Sequence, residues 1–222
     1  MNPLQPRIQS YPYSCKRTYI LVDKEKPTPT HLPEGTVVKV PLERSMVYSS
    51  VHCNLFKQLE SLDAVAGVCG LQYIKVPEIQ EGCRNGSVTD CGNSMNPDIE
   101  KIIDIHPDAI LLSPFENSGG YGRIEKLNVP IIECADYMET SPLGRAEWMY
   151  FYGLLTGRKA QADSLFRKVE QSYLDIKRKA GRCVRYNRLQ EQDFRFLPDE
   201  AFRHIQTNVV LLTNGILRMQ YG

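Results

Sequence analysis

Short apolar runs rich in β-branched residues alternate with helical patterns along much of the chain. The apolar runs predict strands at residues 18–22, 36–40, 45–48, 64–68, 109–112 and 130–134. Apolar residues at a helical spacing predict a helix at 51–62, and further helices are predicted at 97–106 and 120–127. Strands that alternate with helices at short intervals predict an α/β fold with a parallel sheet and right-handed crossovers.

A much longer helical pattern follows the last of these strands. It opens at Ser141-Pro142, a good cap followed by a good first-turn residue, and extends to about residue 179. Gly153 and Gly157 interrupt it, so the pattern predicts either two helices or one kinked helix. A helix of this length beside an α/β lobe predicts a spine that joins two lobes.

Three local features complete the prediction for the α/β region. The stretch at 70–96 is predicted to be mostly loop, with a turn at Asn85-Gly86. Ser50 is predicted to cap the helix that begins at residue 51. Pro97 is predicted to occupy the first turn of the next helix.

These patterns divide the chain into four segments. Residues 1–35 form an irregular segment with one strand, 36–140 an α/β lobe, and 141–180 the long helix. Residues 181–222 form an Arg-rich tail whose convincing strand is at 208–212. A tail of this length is too short to form a second α/β lobe comparable with the first.

Charge and hydropathy narrow the classes of partner. The net charge of the 222 residues is +1, which offers no electrostatic footprint for nucleic acid or an anionic membrane. The sequence has no apolar run of about 18 residues, so no transmembrane helix is predicted. The first 17 residues lack the apolar region of a signal peptide, and this pattern alone predicts a cytoplasmic chain without a signal sequence.

The seven cysteines do not predict a disulfide framework or a zinc site, because their number is odd and no CxxC occurs. We expect most of them to be small buried residues or free thiols. His52 and Cys53 would need further metal ligands, and the remaining histidines are too scattered to supply them. We therefore predict no metal site and no cofactor.

Ser49, Ser50 and His52 share the junction between a predicted strand and a predicted helix, where a nucleophile and its base could stand. A nucleophile elbow requires glycines beside the serine, and here the neighbours are Tyr48 and Val51. We therefore predict no catalytic residue and no enzymatic activity. A hydrolytic or redox enzyme that uses the Ser50/His52 region stays open as an alternative, as does a cytoplasmic partner-binding module.

Ligands of parallel α/β sheets bind at the carboxyl ends of the strands. The loops predicted at those ends carry mainly aromatic, amide and hydroxyl side chains, which suit a binding cleft better than an acid–base site. The predicted ligand-binding residues are Tyr48, Ser49, Ser50, His52, Tyr73, Met95, Asn96, Phe115, Glu116, Asn117, Tyr121 and Tyr137.

Longer motifs identify a family. The chain contains VYSSVH at the end of a strand, then NPDIEKIIDIHPDAIL, and then SPLGRAEW followed by YGLLTG. This combination resembles the substrate-binding proteins of ABC importers for iron-siderophores, haem and cobalamin, which are periplasmic binding proteins with a rigid helical spine. It is especially similar to those of Bacteroidetes-type bacteria, and the resemblance extends from about residue 18 to about residue 179.

The resemblance implies two α/β lobes bridged by one long helix, with the ligand held between the lobes and little hinge closure. It implies a metal chelate, haem or a corrinoid as ligand and the subunits of an ABC permease as partners. Glu100 matches the glutamate by which the N-terminal lobe docks onto arginines of the permease. The second lobe would then be incomplete in residues 181–222.

The resemblance also implies a cellular location. Proteins of this family are exported to the periplasm, usually as lipoproteins, so we expect the complete protein to be periplasmic. Membrane association would then come only from a lipid anchor, which we do not find in this chain.

Overall fold

The computed structural model describes residues 18–114, 121–139, 141–186, 208–212 and 216–219, and from residue 181 onward it describes the backbone alone. Its strands, numbered in chain order, are β1 Thr18–Asp23, β2 Thr36–Val40, β3 Ser45–Val47, β4 Val65–Val68, β5 Thr89–Asp90, β6 Gly92–Asn93, β7 Asn96–Pro97, β8 Ala109–Leu112, β9 Ile131–Glu133, β10 Asn208–Leu212 and β11 Ile216–Met219.

Five α-helices connect or flank these strands in the described residues: α1 Ser50–Gln58, α2 Pro77–Asn85, α3 Ile99–Ile105, α4 Pro142–Leu155 and α5 Lys159–Tyr186. Short 3₁₀ helices occur at Leu62–Ala64, Leu71–Tyr73, Gly122–Leu127 and Asp136–Met138. Within the part of the chain that is described, no helix combines the length and the apolar character that crossing a bilayer requires.

A five-stranded parallel sheet forms the centre of the fold, in the order β5-β4-β3-β8-β9. Met46 of β3 is in register with Gly67 of β4 and Ile110 of β8. Strands β3 and β8, in the interior of the sheet, are buried at every position, as parallel strands covered on both faces usually are. The predicted α/β fold with a parallel-sheet lobe is therefore confirmed.

The two faces of this sheet are covered by different helices. On one face, Val47 and Val68 pack with Phe56 of α1 and with Tyr152 and Leu155 of α4. The apolar cluster on the other face contains Met46, Cys69, Cys91, Ile110 and two isoleucines of α3, Ile102 and Ile105. All of these side chains are buried, so the sheet has a core on each side.

A second sheet, of four strands, has the order β11-β10-β1-β2. Its strands β10, β1 and β2 are parallel, and β11 runs antiparallel to β10. The strand predicted at 208–212 is therefore present, and it pairs with the first described strand of the chain.

Two polar contacts join the two sheets. The backbone N–H of Glu133 in β9 donates to the Tyr19 hydroxyl of β1 at 2.8 Å. Asp108, just before β8, accepts from Lys24 Nζ at 2.9 Å and from the backbone N–H of Arg44 at 3.0 Å. Burial alone would raise the pKa of Asp108, but these hydrogen bonds and the Lys24 charge lower it. Asp108 therefore holds its charge at the base of the central sheet.

The prediction of a loop at 77–85 is wrong, because these residues form α2. The helix has Pro77 at its first turn, and Gly86, at φ 82°, ends it in the left-handed conformation that glycine adopts without strain. The predicted turn at Asn85-Gly86 is thus the end of a helix. Half of α2 is exposed and polar, so its apolar periodicity in the sequence is weak.

Two predicted helix starts are also wrong by one or two residues. Ser49, and not Ser50, caps α1, and its hydroxyl accepts from the backbone N–H of Val51 at 3.2 Å. Asp98 caps α3 by accepting from the backbone N–H of Lys101 at 3.2 Å, so Pro97 lies before the helix, in β7. In both cases the side chain that reaches back to the first turn decides the boundary.

The long helical pattern forms two helices. Ser141 caps α4 as predicted, and its hydroxyl accepts from the backbone N–H of Gly144 at 3.1 Å. The chain leaves α4 at Gly157, whose φ is 70°, and continues into α5, which has 28 residues. Where the two helices pack, a Cβ on Gly153 would lie 2.5 Å from the Cβ of Ala162, so glycine permits their close approach.

Candidate functional site

The carboxyl edge of the central sheet brings together loops from different parts of the sequence. The loop after β3 carries Tyr48 and Ser49 and leads into Ser50, the first residue of α1, and the loop after β4 carries Tyr73. The hairpin of β6 and β7 follows β5 directly and carries Met95, while Tyr137 follows β9. Because all five strands are parallel, these loops share one edge of the sheet.

This edge exposes large apolar side chains. Tyr73 is 71% exposed, Met95 80% and Tyr137 48%. Val51, in the first turn of α1, is exposed at the same edge. In the part of the chain with described side chains, the other exposed large apolar residues lie on α3 and α5. These exposed apolar side chains make the carboxyl edge the candidate site of the fold.

The first two loops are tied together through Ser50. Its hydroxyl accepts from the backbone N–H of Lys75 at 2.9 Å, while the hydroxyl of Ser49 is engaged in capping α1. The serine that was predicted to cap the helix therefore connects the loop after β3 to the loop after β4. This contact fixes the base of the segment that displays Tyr73.

The loop after β4 is also bonded to the hairpin. The backbone N–H of Gly70 donates to the carbonyl of Gly92 at 2.7 Å. Gly70 has φ 67°, a conformation that an alanine would adopt only with strain. At the hairpin tip, Asn93 accepts from the backbone N–H of Met95 at 2.8 Å, and Asn96 is exposed beside it.

Tyr137 is held from two sides. Its hydroxyl donates to the carbonyl of Pro114 at 2.5 Å, which joins the loops after β8 and β9. Arg145 of α4 donates to the carbonyl of Glu139 at 3.0 Å and lies 3.5 Å from the carbonyl of Tyr137. The ring of Tyr137 is therefore presented at the edge from a loop that is hydrogen-bonded to its neighbours.

His52 lies beneath this edge. The side chain is 1% exposed, and its Nε2 atom is 3.1 Å from Oδ1 of Asp136. The ring packs at a tilt against Tyr152 of α4, with centroids 5.9 Å apart, and Nδ1 has no hydrogen-bond partner. Helix α1 turns the His52 side chain inward, so its ring is not exposed at the edge where it was predicted to contact a ligand.

The geometry that a serine nucleophile needs is not formed at this junction. The hydroxyls of Ser49 and Ser50 bond to backbone N–H groups, and His52 bonds to Asp136. The Ser50–His52 contact that the enzyme alternative requires is not among these bonds. The contact between His52 and Asp136 joins α1 to the loop after β9.

The remaining predicted ligand residues differ in accessibility. Tyr48 and Tyr121 are half-buried and pack against the cluster beneath α3. Burial raises the pKa of the Tyr48 hydroxyl well above its usual value, so the group is neutral. Phe115, Glu116 and Asn117 lie outside the described residues. Their predicted roles, like those of the exposed residues, stay predictions.

Glu100, predicted to dock onto a permease, is exposed in the first turn of α3. An acidic residue at a helix start is slightly stabilised by the helix dipole. Ile103 stands one turn further along the helix and is also exposed. Both side chains are therefore available to a partner.

No group of three or more metal-ligating side chains occurs in the described parts of the chain. Five cysteines with described side chains are free thiols: Cys53, Cys69, Cys83, Cys91 and Cys134. Burial raises the pKa of four of these thiols, in Cys53, Cys69, Cys91 and Cys134, to about 12. These four are therefore protonated at neutral pH.

A comparison with known protein families identifies the family of the chain. The sequence model described as "Periplasmic binding protein" matches residues 47–183, which is more than half of the chain. The chain belongs to the periplasmic binding protein family. The match begins at the last residue of β3 and ends in α5, so it includes the other four strands of the central sheet and every loop at the carboxyl edge.

Two relatives of this periplasmic binding protein are uncharacterized lipoproteins of Methanocaldococcus jannaschii. MJ0878 is 29% identical over 177 residues, which cover 74% of this chain and 43% of the relative. MJ0872 is 25% identical over 164 residues, which cover 70% of this chain and 41% of the relative. The chain thus spans less than half the length of these two relatives.

A solved structure is similar in fold. The petrobactin-binding protein YclQ of Bacillus subtilis superposes with a TM-score of 0.55 at 19% identity. The match covers 67% of this chain and 50% of YclQ. This likeness supports the architecture of a periplasmic binding protein for the described lobe.

Sequence reasoning missed the residues that support the loops. Asp136 and Lys75 hold two of the loops at the carboxyl edge through hydrogen bonds. Asp136 had one usable signal, since it is a carboxylate in the loop after a buried strand. Lys75 contributes its backbone N–H alone, for which a sequence carries no signal.

Proposed function

We propose that the chain is the solute-binding component of an ABC importer and delivers an iron chelate, haem or a cobalamin-type ligand to a membrane permease. The observation that carries the proposal is the set of exposed apolar side chains at the carboxyl edge of the sheet, Tyr73, Met95 and Tyr137. Large chelates and macrocycles present wide apolar faces, on which aromatic and methionine side chains pack well.

The hydrogen bonds between the loops support this proposal. Ser50 joins the first loop to the second, and Gly70 joins the second to the hairpin. Tyr137 joins the loops after β8 and β9. A surface that is already fixed before binding loses less conformational entropy when the ligand arrives. Loops that are fixed in this way also agree with the small hinge closure that the family resemblance implies.

We further propose that the ligand is released unchanged, so the protein is not an enzyme. The loops offer hydroxyls that are engaged with backbone groups and a histidine that is buried against Asp136. The proposed location is the periplasm, with a lipid anchor in the complete protein. The lipoprotein names of two relatives support this location.

Ligand binding tests the proposal directly. The purified chain is titrated with haem, with a ferric triscatecholate siderophore and with cyanocobalamin, and absorbance is followed. We expect one of the three to bind, and Tyr73→Ala to weaken that binding about tenfold, because the variant loses an exposed ring from the edge.

The matched control is Ile103→Ala, which removes a side chain exposed on α3, away from the loops of the carboxyl edge. This variant should bind as the unchanged chain does. If none of the three compounds binds to folded protein, the ligand class is wrong. An equal loss of ligand affinity in Tyr73→Ala and Ile103→Ala would show that Tyr73 does not contact the ligand.

The docking role of Glu100 has a separate test. Glu100→Lys reverses a charge that the proposed permease meets with arginines, so uptake of the bound compound should fall about tenfold while its affinity for the chain is unchanged. Uptake is measured in cells that carry the permease. Glu34→Lys, at an exposed glutamate outside the central sheet, is the matched control. Normal uptake with Glu100→Lys would end the docking proposal.

A further inference from the structure

Two cysteines end adjacent strands of the central sheet on the same face. Gly67 and Val68 of β4 are in register with Thr89 and Asp90 of β5. Cys69 lies two residues after Gly67, and Cys91 lies two residues after Thr89. Because side chains alternate along a strand, both cysteines point to the face of Gly67 and Thr89. They are neighbours across the two strands.

Hydrogen bonds keep the strands together on both sides of the cysteines. The backbone N–H of Cys91 donates to the carbonyl of Val68 at 2.8 Å, and that of Gly70 donates to the carbonyl of Gly92 at 2.7 Å. The Sγ atom of Cys69 is 3.7 Å from the carbonyl oxygen of Cys91. Paired strands lie about 4.8 Å apart, which is within the range of about 4.4–6.8 Å between Cα atoms joined by a disulfide.

The sheet itself separates these two thiols from the others. Cys69 and Cys91 belong to the apolar cluster beneath α3. Cys53 and Cys134 belong to the cluster on the opposite face, and Cys83 packs against that same cluster. Of the cysteines with described side chains, each member of the pair has the other as its neighbour on its own face.

We propose that Cys69 and Cys91 form a disulfide bond when the chain folds in an oxidising environment. The oxidant is a disulfide-containing compound or protein. One cysteine thiolate attacks it to form a mixed disulfide and releases one thiol, and the second cysteine then displaces the other thiol. The two cysteines lose two electrons and two protons, and the oxidant is reduced to two thiols.

The bond has to form before the sheet is fully packed. Both cysteines are fully buried in the folded chain, and their raised pKa leaves little thiolate to react at neutral pH. Extracytoplasmic folding, as proposed above for this family member, supplies the oxidising conditions. Once formed, the bond would join the base of the loop with Tyr73 to the base of the hairpin with Met95.

Peptide mapping of the unchanged sequence tests the proposal. The full chain is reduced, unfolded and refolded in a mixture of reduced and oxidised glutathione, and the folded monomer is isolated and its free thiols are alkylated. Trypsin then places Cys69 in peptide 58–75, Cys91 in peptide 85–101 and Cys83 in peptide 76–84. We expect mass spectrometry to find 58–75 linked to 85–101.

A second measurement tests whether the disulfide bond stabilises the fold. The linked form should melt at least about 5 °C above the reduced form, because the bond restrains the unfolded chain. Cys69→Ser should abolish this difference, and Cys83→Ser should preserve it. Folded monomer with both Cys69 and Cys91 alkylated, or with either one linked elsewhere, would overturn the proposal. No ligand is used, so the outcome is independent of the proposed transport function.

Discussion

Replacing Gly153 by valine is expected to lower the free energy of unfolding by about 3 kcal/mol, a large effect for one residue. A Cβ at this position would lie 2.5 Å from the Cβ of Ala162 and 3.3 Å from the carbonyl oxygen of Arg158. Neither of these atoms can rotate away, so α4 and α5 would have to separate. Tyr152 and Leu155, both fully buried, would lose packing as a result.

Urea unfolding followed by circular dichroism measures this loss. Ala160→Val, at an exposed position of α5, is the matched control and should cost about 0.5 kcal/mol from helix propensity alone. Adding Ala162→Gly to the Gly153→Val variant should recover part of the stability, because it removes the atom that the new side chain meets. Because valine is a better helix former than glycine, propensity alone predicts no loss of stability at residue 153. A Gly153→Val variant as stable as the unchanged chain would therefore contradict the helix contact.

Asp136→Ala is expected to destabilise the chain by about 2–3 kcal/mol. The substitution leaves Nε2 of the buried His52 without its carboxylate, and Nδ1 of the same ring already lacks a hydrogen-bond partner. A buried imidazole without partners bears the full cost of its lost hydration. The free energy of unfolding in urea is again the measurement.

The controls for this prediction separate the hydrogen bond from the charge. Asp136→Asn keeps an acceptor for His52 and should lose less stability than Asp136→Ala. Asp63→Ala removes an exposed aspartate and should change stability by less than about 0.5 kcal/mol. In a double-mutant cycle, Asp136→Ala should cost much less when His52 is already leucine. Additive effects would contradict a direct coupling of the two side chains.

The strands of the central sheet could be predicted because their apolar runs are continuous. Residues 109–112 form β8 as predicted, since a parallel strand buried on both faces needs apolar side chains at every position. The pairing of β10 with β1 could not be predicted in the same way. It joins segments far apart in the sequence, and local propensity carries no information about such a partner.

Helix boundaries depended on contacts that composition does not contain. Ser49 and Ser50 are adjacent and equally suited to cap a helix, and the structure uses one for the cap and the other to bond Lys75. Likewise, Gly153 and Gly157 are both helix breakers in isolation. In the fold, Gly157 ends α4 with a positive φ, while Gly153 stays helical and admits α5.

The sequence could predict which loops form the candidate site, but not which of their side chains are exposed. The rule that ligands bind at strand ends placed Tyr73, Met95 and Tyr137 at one edge, where they are exposed. It placed His52 there too, although α1 turns that side chain inward. The reason is its partner Asp136, which lies 84 residues further along the chain and contacts the histidine through the tertiary fold alone.

The pairing of β10 with β1 bears on association between chains. Ile20, Leu21 and Val22 of β1 are apolar and buried, and β2 pairs with one side of this strand. Were the other side open, its unpaired backbone groups would accept a strand from another molecule, as apolar edge strands do in aggregates. Residues 208–212 fill that side. We therefore expect their pairing with β1 to prevent strand exchange and aggregation, in addition to any contribution to the free energy of unfolding.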